Sequence, residues 1–568
     1  MTSRLLPVFA LALCATSAHA AEYWVGGAQT CDFPTIQAAI AAAHETPDAD
    51  TIRIADDQPY TNQTLLVDTS VHLIGGYLAC GSLEREGYTS LSGTGMRAVI
   101  VVIADDHPGI DVHLDRLDIH NGGSSGDPQS WGGLSISGYA RTYLSDSVIR
   151  LNQTTDVPVG AEARAGGGVT VRGPGAILTI ERWVDIRENT GRDAGGILVD
   201  GGTLRIQPHG VTIKQNVVTG GGNGGGIAVV NGGVMSVETD PKGSGLPVTG
   251  VLVGHNTVEG DTGCGGGVYV GGANSSMLAT NLLVLHNESR TGQGGGLCVE
   301  DRGYAQMGIS LDGPFRHCLP EQECLSVSHN TSAVSGAAVY VDRGGIVRLN
   351  GVFVRGNRPH ENGGDDKGNA FDVDGDTSQL RILNSVVADN ACSQSNPACA
   401  VFRTRGGRVH VEHTTFARNG NEDGALIFGD ARDGSGASLA DIRLFSSLLA
   451  DKRLLYTSTR EVPPIPGATI EGNCVLKNRG RAEGNRGALT PITFLDADAG
   501  NYRLAPGNDA IDYCDGIAGS SQDPDLNRQP RGIDDPNAPD RYGLFDLGAY
   551  EFGNVPDRLF ADGLEAGP

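Results

Sequence analysis

The chain has 568 residues, of which 84 are glycine and 5% aromatic, and a formal net charge of −25. A single compact core rarely reaches this length, whereas a repeat solenoid does, and the glycines lack the every-third-residue period of collagen. The negative balance disfavours a nucleic-acid partner, and also a polyanionic polysaccharide unless a cation such as calcium bridges the two.

Residues 1–20 predict a cleaved signal peptide, with Arg4 as the charged start, Leu5–Ala12 as the apolar stretch and Ala18-His19-Ala20 as the cleavage site. The expected location is therefore secreted or cell-surface. No later stretch approaches a transmembrane length. Signal removal takes Cys14 with it and leaves an even number of the 11 cysteines, which favours disulfides. Proximity along the chain suggests Cys31–Cys80, Cys318–Cys324, Cys392–Cys399 and Cys474–Cys514. Cys264 and Cys298 sit in consecutive repeat units but flank their glycine runs on opposite sides, which leaves their pairing open.

Residues 21–80 predict an N-terminal cap and first coil. Phe33-Pro34-Thr35-Ile36-Gln37-Ala38-Ala39-Ile40 starts an alanine-rich amphipathic helix running to about His44, and Thr51–Ile54 and Val71–Gly76 read as strands. A solenoid needs its open end covered, and a short helix does this. The stretch resembles the start of right-handed β-helix proteins of the pectin-lyase-like fold, in which a T-I-Q-x-A-I helix precedes a first strand and a later L-I-G-G strand.

Residues 81–455 predict the coils of an all-β, right-handed parallel β-helix. An aliphatic or Phe residue, two variable residues and then Asn recur nine times, ending at Asn152, Asn189, Asn216, Asn256, Asn287, Asn330, Asn357, Asn390 and Asn419. Glycine runs such as Gly224-Gly225-Gly226 and short apolar runs follow most of them, and self-similarity at this period means a solenoid or array. From Gly196 to Asn216 three strand-like runs alternate with turn residues, which describes one triangular coil. Asparagine tolerates the left-handed backbone of a tight corner, and stacked side-chain amides can bond along the stack. Two insertions, around Glu238–Gly250 and Gly313–Cys324, are candidate walls of a binding groove. The V-x-x-N and G-G-G-V repeat also resembles that of bacterial polymorphic outer-membrane proteins. The stretch after Asp451 lacks regular alternating strands of barrel length, so self-insertion is not expected.

Residues 456–553 predict a C-terminal cap, and 554–568 a flexible tail. Ala505-Pro506-Gly507-Asn508-Asp509-Ala510-Ile511-Asp512, Pro530-Arg531 and Asp546-Leu547-Gly548-Ala549-Tyr550-Glu551 resemble the S-P-A-I-D, P-R and D-x-G-A-x-E signature of secreted choice-of-anchor Q proteins. Here Ala505 replaces the Ser, and Asn508-Asp509 are inserted. The resemblance implies export and surface display and no reaction. Arg531 has Asp512, Asp546 and Glu551 to pair with in a buried clasp.

Two residue sets are candidate metal ligands. His255, His286 and His329 share one repeat position before the corner Asn, so they would form a column of imidazoles. Asp372, Asp374 and Asp376 alternate in a manner that could hold calcium, although strand alternation turns all three to the solvent side. No catalytic residue is assigned. The N-T-D, G-H-G and R-I-K signatures of polygalacturonases and the R-x-P-x-x-R of pectate lyases are absent. The expectation is a monomeric, non-enzymatic scaffold for an extracellular glycan or cell surface. The alternative is a polysaccharide lyase or glycoside hydrolase.

Overall fold

The computed structural model describes residues 20–106, 108–124, 131–155, 164–238, 249–260, 263–308, 325–360, 369–391, 400–420, 425–429, 441–450, 453–457, 475–477, 492–514 and 524–553. Within them the chain is a right-handed parallel β-helix. Its strands form sheets of 14, 13, 13 and 7 members, whose neighbours are corresponding strands of successive coils. One coil shows the order. Ile197–Asp200 lies in one thirteen-stranded sheet, Thr203–Ile206 in the fourteen-stranded sheet, Thr212–Lys214 in the second thirteen-stranded sheet, and Val217–Val218 in the seven-stranded sheet. The triangular coil read from the sequence therefore has a fourth, two-residue side. Two residues are too few to carry any hydrophobic period.

The core is built from stacked rows. The aliphatic residue of each asparagine repeat points inward, so that Ile149, Ile186, Ile213, Val253, Val284, Val327, Val354 and Val387 lie in register and are fully buried. The glycine-led strand supplies Val169, Ile197, Ile227, Val268, Leu297, Val339, Phe371 and Phe402. Branched residues dominate because a stiff side chain loses little entropy on a pleated surface.

The asparagines form a continuous internal ladder. Each Nδ2 from Asn152 to Asn390 donates to the Oδ1 of the next asparagine at 2.9–3.0 Å. The same Oδ1 accepts the preceding asparagine's backbone N–H, as between Asn256 and Asn287 at 3.1 Å. The second Nδ2 hydrogen goes to the aliphatic residue's carbonyl one coil back, as from Asn287 to Val253 at 2.9 Å. The asparagines are not the left-handed residues. That conformation falls one position earlier, at Leu151, Glu188, Gln215, His255, His286, His329, Gly356, Asp389 and Arg418, with φ between 54° and 62°. The positive φ turns the chain so that the next side chain points into the core.

Glycine serves close approach as well as corners. A Cβ at Gly267 would meet the Gly296 carbonyl oxygen at 2.7 Å, Val284 Cγ1 at 2.8 Å and Asn287 Nδ2 at 2.9 Å. The last glycine of each run thus faces the ladder where no side chain fits.

The N-terminal end is closed by α1 (Ile36–Ala43), capped by Thr35, whose Oγ1 accepts from the Ala38 N–H at 3.3 Å. Its buried face, Ile36, Ala39, Ile40 and Ala43, continues the core, and a Cys31–Cys80 disulfide ties the end together. Strands Arg453–Thr457 and Val475–Lys477 extend two sheets past residue 455.

The closing segment, 492–514 and 524–553, lies along the side of the last coils. Tyr502, Leu526, Ala549 and Tyr550 pack on Phe353, Val386, Ala388, Ala417 and Ala450 of the second thirteen-stranded sheet. Ala549 N–H donates to Thr415 Oγ1 at 2.9 Å, and Arg418 pairs with Asp498 at 2.6 Å. The clasp expected around Arg531 resolves to Glu551: Nη1 and Oε2 are 3.7 Å apart, and both side chains are fully buried. Arg531 Nη2 also donates to Asn384 Oδ1 and to the Ala549 carbonyl, which ties the segment to the coil beneath.

Candidate functional site

The outward face of the fourteen-stranded sheet carries an arginine-rich column near its C-terminal end. Gln306, Arg348, Arg381, His410 and Arg443 are register partners on successive coils. Arg348, Arg381 and His410 each follow an inward aliphatic residue and precede another, as in Val347-Arg348-Leu349 and Leu380-Arg381-Ile382, so strand alternation drives the polar side chain outward. A parallel column, Ile346, Gln379 and Arg408, lies beside it. From Arg348 and Ile346 onward, the two columns line a shallow depression of about 280 Å³.

Arg348, Arg408 and Arg443 are exposed. The Arg348 guanidinium lies 5.7 Å above the Tyr304 ring. Arg381 Nη2 is 3.7 Å from Glu412 Oε2, and His410 Nε2 is 3.3 Å from the same oxygen of this buried carboxylate. The His410 ring rests 5.3 Å from Phe445, and Arg408 is in register with Asp441. Cations held at strand spacing of roughly 4.8 Å repel one another. The chain was read as poorly suited to anions from its total charge, and this patch departs from that total. Arg348, Arg381 and Arg443 are far apart in sequence, and only the strand register unites them. The recurring aliphatic–cation–aliphatic triplet was the available signal.

The histidine triplet is a stack. The rings of His255 and His286 lie 4.9 Å apart at 5°, and those of His286 and His329 4.9 Å apart at 18°. In-plane lone pairs of parallel rings point side by side and cannot converge on one ion. Partial burial, then the neighbouring imidazoles and Arg358, lowers the His286 pKa; partial burial, then Arg355 and Arg358, lowers that of His329. A Cβ at Gly356 would meet the His329 ring at 2.7 Å, so glycine ends the stack.

The acidic triplet is spread out. Asp372 is fully buried, against the solvent-facing expectation, and its Oδ2 is 3.0 Å from Arg403 Nη2. Alternation does turn it outward, but that face of its sheet is itself covered, with Tyr269, Cys298 and Tyr340 buried in the same row. Asp374 is half-buried and Asp376 is exposed. Among the described residues, candidate ligand atoms converge within 4.8 Å elsewhere, twice as a disulfide beside a carboxylate and once as three carboxylates.

Cys264 and Cys298 form a disulfide in that same covered row, with Cα atoms 5.8 Å apart. Cys514 is disulfide-bonded. Its expected partner Cys474 lies outside the described residues, as do Cys318, Cys324, Cys392, Cys399, most of both insertions, residues 1–19 and the tail after 553. Among the described residues no helix is long and apolar enough to cross a membrane. Compared with known protein families, with characterised proteins and with solved structures, the chain finds no match.

Proposed function

We propose that this chain is an exported, non-enzymatic β-helix that holds an anionic glycan along the arginine column. The observation that carries the reading is the register of Arg348, Arg381, His410 and Arg443 on consecutive coils. An extended polyanion whose charges recur near the coil rise of roughly 4.8 Å meets an arginine or histidine donor on each coil, and its binding offsets the repulsion between the arginines. Arginine suits carboxylate and sulfate through its planar fork of donors. The Cys31–Cys80 and Cys264–Cys298 disulfides are compatible with an extracellular protein. Pectin-lyase-like kinship and a choice-of-anchor Q ending rest on the motifs quoted above, and both fit export.

Hydrolysis of a glycan calls for two carboxyl groups flanking the scissile bond. Among the described side chains lining or touching the depression, Glu412 is the acid that meets the column, and Arg381 and His410 occupy it. The test is a panel of immobilised polysaccharides. Sulfated and uronate chains should retain the protein while neutral chains let it pass, with no unsaturated product or new reducing end from any of them. Retention by neutral chains alone would reject the anionic reading, and turnover of any polymer would install the enzyme.

A further inference from the structure

A second site lies in the closing segment, away from the arginine column. Asp512 sits in the left-handed conformation at φ 49°, and the chain from Asp534 to Arg541 wraps around it. The Asp535 N–H donates to Asp512 Oδ2 at 3.0 Å, and the Arg541 N–H donates to the Asp512 carbonyl at 3.0 Å. This wrapping brings oxygens of Asp512, Asp534 and Asp540 within 4.8 Å of one another. Asp512 is fully buried, and its Oδ1 has no hydrogen-bond partner. Asp534 and Asp540 are exposed. Arg541, the residue after Asp540, pairs with Asp509 at 2.9 Å.

We propose that Asp512, Asp534 and Asp540 form a calcium site that pins the 534–541 stretch to the rest of the closing segment. A buried carboxylate oxygen with no donor is costly, and a cation satisfies it. Three oxygen ligands of this kind select a hard ion. Calcium accepts six to eight oxygens in irregular geometry at roughly 2.3–2.6 Å, and the two exposed carboxylates leave room for water to complete the shell. Magnesium demands a stricter octahedron.

The experiment uses the full chain stripped with chelator and titrated with calcium chloride by calorimetry, beside melting curves with calcium and with chelator. The expected result is one site with a dissociation constant of roughly 10⁻⁴–10⁻³ M, as in exported modules, and a higher melting temperature with calcium. Asp534→Asn with Asp540→Asn changes only exposed side chains and should fold. It should weaken binding by about tenfold or more and abolish the shift. Asp376→Asn, outside the site, should leave both intact. No binding at millimolar calcium, an undiminished shift in the double variant, or an equal shift with magnesium would overturn the assignment.

Discussion

At the scale of single residues, the ladder asparagine is saturated. Asn287 accepts from the backbone and side-chain amides of Asn256 and donates to Val253 and Asn330, all within the core. Asn152, at the N-terminal end of the ladder, accepts only the Gly122 N–H in place of the two donors from a preceding asparagine. Each buried group stranded by truncation costs about 1–3 kcal/mol. Asn287→Ala should therefore lower stability more than Asn152→Ala, and chemical denaturation will measure the gap; equal, negligible losses would refute the ladder. Gly267→Ala forces a methyl onto the Gly296 carbonyl and the Asn287 amide, and overpacking of this kind costs about 1–3 kcal/mol. The nine-fold asparagine was legible because it recurs at one spacing. Its conformation was not, because nothing in a V-x-x-N string distinguishes the residue that turns from the residue that points inward. The variable side chains at the turning position, from Leu151 to Arg418, disguise a common φ.

At the scale of elements, the closing segment carries the strongest pH dependence. Burial and the adjacent Glu551 push Asp546 up to about 8. A carboxyl raised in the folded state contributes stability in full below its unfolded value near 3.8, and loses it as pH rises through about 8. His413 runs the other way: burial, then Arg531, lowers it to about 3, so its contribution holds above the ordinary 6.5 and is lost as pH falls toward 3. Asp546→Asn should cost stability, because Asp546 accepts from Asp512 N–H and Phe552 N–H and an amide nitrogen cannot accept. It should also flatten the fall of melting temperature between pH 6 and 9, and an unchanged slope would exclude Asp546 as its source. Opening the Cys264–Cys298 link by substitution of both cysteines should lower stability by about 3 kcal/mol. The helix, the disulfide at the N-terminal end and the three main strands of each coil were readable from caps, periodicity and turn residues. The lateral packing of the closing segment was not, since Tyr502 and Tyr550 meet Phe353 and Ala417 only through the fold.

At the scale of the molecule, a sheet of 14 parallel strands at about 4.8 Å spacing extends about 60 Å along one axis. Solution scattering should show an elongated particle, and a compact sphere would contradict the solenoid. Total charge and the local patch point to different partners for a reason of scale. A value of −25 averages over a surface on which register collects arginines from Arg348 to Arg443 into one stripe. A ligand at that stripe senses mainly charges within a Debye length of about 8 Å at physiological salt, not the whole chain. The most direct measurement is therefore the affinity of the full chain for a sulfated or uronate polysaccharide as a function of salt, beside that of Arg348→Glu with Arg443→Glu, both at exposed positions. The account predicts binding that weakens steadily with salt and is lost in the charge-reversed protein, whose melting temperature stays near that of the parent. Equal affinity in the two proteins would contradict it.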